Sequence, residues 1–162
     1  MNDAGTMGER SVADKPRNAG LDAAVERYGR FWAELAPGTT GRLRELAQPG
    51  LRFVDPFNDV TGVERVVALL DHMFAGASEV RFTVLRQAWA GDTAFYRWDF
   101  SCRLRRPAMT LGLVGVSEVR FHGDGLVAEH VDHWDAGAQV YERVPGLGAV
   151  LRLLKRRLSA GV

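Results

Sequence analysis

Leu126–Asp135, read as LVAEHVDHWD, is the stretch whose reading decides the fold. It alternates as a strand does, yet His130, Asp132, His133 and Asp135 stand where an ordinary strand carries neutral side chains. Strand side chains repeat every second residue, so Leu126, Ala128, His130, Asp132 and Trp134 share one face. An acid between an imidazole and an indole marks the floor of a pocket better than it marks a solvated sheet.

Upstream, the same period of two runs through Val80–Ala90, Thr93–Leu104 and Thr110–Phe121. The separators Gly91-Asp92, Arg105–Met109 and His122–Gly125 suit antiparallel turns, so four strands form a meander. Helical spacing precedes it. Apolar residues recur at three and four over Leu21–Leu35, with Tyr28 on the buried stripe, and Pro37-Gly38 stops that helix. Thr40–Ala47 reads as a short second helix with Pro49-Gly50 as its stop, and Leu51–Asp55 as a brief strand broken by Pro56. Thr61-Gly62-Val63-Glu64 fits a capping box for a helix that buries Val63, Val66, Val67, Leu70, Met73 and Phe74. Leu147–Leu158 is an amphipathic basic helix expected to cover the end of the sheet. Helices first and an antiparallel meander afterwards give an α+β fold, a curved sheet with helices packed on its concave face.

Composition bounds the function. The chain has 162 residues, 46% apolar and 25% charged, with a net charge of +1. One domain is expected, from residue 19 to 162, behind a mobile tail over residues 1–18 that has almost nothing to bury. The charge balance argues against a nucleic-acid partner, and no apolar run approaches the ~20 residues that span a bilayer. No apolar segment of a signal peptide precedes the first helix, so a cytoplasmic protein is expected. Cys102 is the only cysteine, which excludes an internal disulfide and a cysteine-based zinc site. His130 and His133 point to opposite strand faces, so no metal site is expected. No glycine-rich loop leads from a strand into a helix, so no nucleotide cofactor is expected either.

The segments FVDPFNDVTG at 53–62, YRWDF at 96–100, GVSEVRF at 115–121 and HVDHWD at 130–135 resemble the NTF2-like family, including its SnoaL-like branch. That resemblance implies a cone in which the helices and the concave sheet enclose an apolar pocket. Two enzymatic branches bear on the site. In limonene-epoxide hydrolases an Arg-x-Asp on a central strand works with a second Asp on the last strand, and Arg97-Trp98-Asp99 and Asp132 stand in the matching places. Phe53 and Asp55 stand where those enzymes hold a water with a Tyr and an Asn. In ketosteroid isomerases an Asp before Pro acts as base near a Tyr of the first helix, matched here by Asp55-Pro56 and Tyr28. Ser117 stands where that branch carries the acid of its oxyanion hole.

The resemblance thus implies a cofactor-independent acid–base enzyme acting on a small apolar molecule. Asp132 would be the base, Arg97 the bridge and Asp99 the acid, the two roles that epoxide opening requires together. Enolisation with Asp55 as base is the alternative, and a non-catalytic binding or dimerisation module a third. Phe53, Ser117, Phe121, His130 and Trp134 would line the pocket with Tyr28. Against the hydrolase reading stands plain alternation. On strand 93–104 the even face (Ala94, Tyr96, Trp98, Phe100, Cys102) is apolar, and burying it leaves Arg97 and Asp99 as a surface ion pair. Lining the pocket with Arg97 and Asp99 requires another cover for the even face, most simply a second subunit in a homodimer.

Overall fold

From Ala94 to Arg103 the even face of that strand is buried and the odd face is exposed. This orientation sets the architecture. The computed structural model describes residues 19–106, 108–144 and 146–159; the tail expected over residues 1–18 lies outside them. Helix α1 (Ala19–Ala33) and a 3-10 turn (Thr40–Glu45) lead into β1 (Ala47–Val54) and β2 (Asp59–Thr61). Helix α2 (Val63–Gly76) is followed by β3 (Ala77–Ala90), β4 (Thr93–Arg105), β5 (Ala108–Phe121) and β6 (Val127–His133). A one-turn helix α3 (Ala136–Gln139), a 3-10 turn (Tyr141–Arg143) and α4 (Leu147–Leu158) end the described chain.

The six strands form one sheet in the order β2-β1-β6-β5-β4-β3. All neighbours are antiparallel except β1 and β6, which run parallel. That parallel pairing places Phe53 opposite His130 and so joins the first strand to the last at the pocket floor. Helices α1 and α2 cover one side of the sheet. The core between them includes Tyr28, Phe31, Leu43, Leu51, Val66 and Val119.

Several sequence expectations change. The even face of β4 is covered within the chain by the helices and the pocket, so no partner subunit is needed over Trp98 and Phe100. Pro49-Gly50 lie inside β1 rather than stopping a helix, because the first half of that strand pairs only loosely, with a register shift between Ala47 and Arg52. The capping box does not form. Gly62 at φ 107° takes the cap position without a side-chain bond, and Glu64 pairs instead with Arg44 at 2.7 Å. In β6 the pairing slips between Arg120 and Phe121, so Val127 rather than Ala128 is buried below the slip. Helix α4 does not cover the sheet; it packs on the Tyr141–Arg143 turn through buried Gly148, and Leu153, Leu154 and Leu158 are exposed.

One glycine positions the site. Gly115 lies opposite Trp98 in the β4–β5 register, and a Cβ there would collide with the Trp98 ring. Only a bare backbone lets the indole lie flat across β5 and reach Ser117. Gly115→Ala is expected to destabilise the fold by about 1–3 kcal/mol, because Trp98 must leave its place. Urea unfolding measures the loss, and an unchanged midpoint would show that Trp98 does not rest on that glycine.

Candidate functional site

The concave side of the sheet holds a cavity of about 420 Å³, within the range of small-molecule sites. Its walls are mostly apolar. Helix α2 contributes Leu69, Leu70 and Met73, the even face of β4 contributes Trp98, Phe100 and Cys102, and the odd face of β5 contributes Leu111 and Leu113. Phe53 and Trp134 close the β1–β6 side, and Trp32 enters from α1. Polar groups are few: Asp55, Asn58, His72, Arg106 and Asp132. Beyond Trp32, Phe82, Trp98 and Asp132, which border both spaces, lies an inner void of about 10 Å³ that also touches Ser117 and His130. That is room for roughly one water-sized atom.

At the boundary of the two spaces runs a continuous hydrogen-bond chain. Tyr28 Oη lies 2.8 Å from His130 Nδ1, and His130 Nε2 lies 2.9 Å from Asp132 Oδ1. Ser117 Oγ donates to the same Asp132 oxygen at 2.5 Å and accepts from Trp98 Nε1 at 2.8 Å. An ionised carboxylate can only accept, so the tautomer of a neutral His130 that suits it carries its hydrogen on Nε2 and accepts the Tyr28 hydroxyl at Nδ1. Burial pushes the Tyr28 phenol well above its ordinary value, and the neighbouring Trp32 N–H works against that rise. The phenol therefore keeps its proton and can donate it to His130 Nδ1.

His130 is 1% exposed and packed between the rings of Trp32, Phe53 and Tyr28. Both bonds to Asp132 fall on Oδ1. Oδ2 has no protein donor among the described residues, and the side chain keeps 14% exposure. A carboxylate held by two donors through one oxygen, with the other oxygen free in an apolar cavity, can take a proton from a bound molecule.

The sequence-derived candidates separate clearly. Asp132, His130, Ser117, Phe53 and Trp134 meet at the cavity or its inner void. Tyr28 lies behind His130 and touches neither space, and Phe121 packs edge-on against Tyr28 in the core. Arg97 and Asp99 lie on the opposite side of the sheet, because alternation turns them outward when Trp98 turns inward. Arg97 reaches the Gly115 carbonyl at 3.4 Å, and neither residue lines the cavity. The bridge between Asp99 and Asp132 therefore does not form.

Asp55 does border the cavity, but its carboxylate serves the turn after β1. Oδ1 accepts from the backbone N–H groups of Phe57 and Asn58, at 2.6 and 2.8 Å, and Asn58 Nδ2 donates to both oxygens. That is an Asx-type turn.

Trp32, Trp98 and His72 were not among the candidates. The apolar even face of β4 already contained the signal for Trp98, and Trp32 sits on the buried stripe of α1. His72 lines the outer cavity from α2. Among the described residues no cluster of three or more metal-ligating side chains occurs, and no helix is long and apolar enough to cross a membrane.

Solved structures with this fold are numerous and distant in sequence. A SnoaL-like polyketide cyclase from Jannaschia sp. CCS1 is 20% identical, with a TM-score of 0.65 over 76% of this chain and 91% of that one. A protein with a ketosteroid isomerase-like fold from Catenulispora acidiphila is 16% identical, with a TM-score of 0.60 over 72% and 88%. An LEH-like epoxide hydrolase from M. tuberculosis is 13% identical, with a TM-score of 0.63 over 91% and 99%. At these identities the likeness establishes the fold. No curated protein sequence matches the chain. Residues 28–130, more than half of the length, match the model of the SnoaL-like domain, and the chain is a member of that family.

Proposed function

We propose that the protein is a cofactor-independent proton-transfer enzyme acting on a small, mostly apolar carbonyl compound, with Asp132 as the base. The observation that carries this reading is that Asp132 lines an apolar cavity with His130 and Ser117 on Oδ1 and no protein donor on Oδ2 among the described residues. Oδ2 would remove a proton from the carbon next to a carbonyl, and the C–H electrons would form the enolate. Returning the proton to another carbon gives isomerisation. Attack of the enolate carbon on a second carbonyl of the same molecule closes a ring, and the proton on Asp132 then neutralises the new alkoxide. The polyketide-cyclase neighbours make ring closure the first substrate class to test.

Epoxide hydrolysis keeps only its base in this arrangement, since Arg97 and Asp99 face away from the cavity. A base at Asp55 is disfavoured because both of its oxygens are committed to Asn58. The test needs no knowledge of the natural substrate. In D2O the protein is expected to exchange the α-protons of 2-tetralone faster than buffer alone, followed by proton NMR. No exchange above buffer across a panel of cyclic ketones and diketones would leave a non-catalytic pocket. Hydration of styrene oxide in the same panel would restore the hydrolase instead.

A further inference from the structure

Helix α4 keeps its apolar side uncovered. With about 3.6 residues per turn, Leu147, Val150, Leu151, Leu154 and Leu158 fall on one stripe. A different side of the helix holds it to the Tyr141–Arg143 turn. There Gly148 is buried, Arg152 donates to the Glu142 carbonyl at 3.2 Å, and Lys155 pairs with the Glu142 carboxylate. The stripe stays open to solvent, with Val150 55%, Leu154 49% and Leu158 85% exposed. Single exposed apolar side chains are ordinary, whereas a row of them along one helix marks a contact surface. Among the described residues, the only other exposed large apolar side chains outside Tyr141–Leu158 are Phe57, Leu85, Phe95 and Val114.

Charge decides what fits this stripe. Lys155 borders it on one side and Arg157 on the other, Arg152 and Arg156 lie farther round, and α4 contains no acid. Glu142 answers Lys155, while Arg156 and Arg157 have no ion-pair partner among the described residues. We infer that α4 is an interfacial helix that docks the protein on an anionic membrane surface. The leucines enter the headgroup region, and the flanking cations meet lipid phosphate and carboxylate groups. A second copy of the chain suits the stripe less well. Pairing α4 with α4 would bring bordering cations together, with no acid on either helix to answer them. Twelve residues span about 18 Å, so the helix lies along the surface and does not cross it. None of its residues lines the cavity, so the inference stands independently of the proton-transfer reading.

The experiment is flotation of the full chain with vesicles of phosphatidylcholine alone or of phosphatidylcholine mixed with phosphatidylserine. Wild type is expected to float with the mixed vesicles and to remain largely free of the neutral ones. Leu154→Glu puts a charge on the stripe and should weaken binding by about tenfold or more. Arg156→Glu/Arg157→Glu should weaken it by about tenfold, and raising the salt to about 0.5 M should act in the same direction. All three positions are exposed, and thermal unfolding confirms that the variants fold. Failure of wild type to float with either vesicle type would overturn the inference. Equal flotation of wild type and Leu154→Glu would also overturn it, since a basic patch alone would then suffice. Sedimentation shows the competing occupant: a dimer that Leu154→Glu splits, without vesicle binding, would assign the stripe to a second copy.

Discussion

Asp132→Asn is expected to lower α-proton exchange by about two to four orders of magnitude, the usual contribution of a positioned general base. The amide keeps the shape of the side chain, and its oxygen can still accept from His130 and Ser117. It cannot take a proton. Binding of a ketone should therefore change little while turnover falls, which separates a base from a residue that only shapes the cavity. Ser117→Ala should have a smaller effect on rate, because His130 still orients the carboxylate through Oδ1. A fall in binding that matched the fall in rate would assign Asp132 to ligand contact alone.

His130→Ala is expected to cost about 3–5 kcal/mol of folding stability, more than any surface change in the chain. Two effects combine. Removing an imidazole packed against Trp32, Phe53 and Tyr28 opens a void in the aromatic cluster. It also leaves the Tyr28 hydroxyl, which is fully buried, without its acceptor. His130→Phe fills the void and restores only the packing, so about 1–3 kcal/mol of loss should remain from the orphaned hydroxyl. Adding Tyr28→Phe to that variant should recover part of the remainder, since no hydroxyl is then left unpaired. Denaturant unfolding of the three proteins resolves these contributions, and equal stability of His130→Phe and wild type would show that the Tyr28 bond adds nothing.

Much of this architecture was readable from the sequence, and the exceptions share a cause. The meander strands, helices α1 and α2, and the placing of His130 and Asp132 on one face follow from periodicity, which packing enforces wherever one face is buried. What periodicity cannot supply is which side of a strand faces the helices when both readings have a rationale. Trp98 and Asp99 are neighbours, and a choice between them turns every side chain of β4 over. Hydrophobic burial decided it in favour of Trp98, against the carry-over of Arg97 and Asp99 as site residues. The register slip before Val127 and the loosely paired Pro49-Gly50 segment depend on partner strands distant in sequence, so no local pattern announces them. The chain from Tyr28 to Asp132 also escapes local reading, because its first bond joins residues 102 positions apart.

The most direct test sets Asp132→Asn beside Asp99→Asn in the deuterium-exchange assay with 2-tetralone. Both changes are the same chemically, and only the side of the sheet differs. Asp132→Asn should reduce exchange to near the buffer rate, while Asp99→Asn, exposed on the outer face, should match wild type. Equal losses in the two variants, or a loss in Asp99→Asn alone, would contradict the assignment of the cavity and its base.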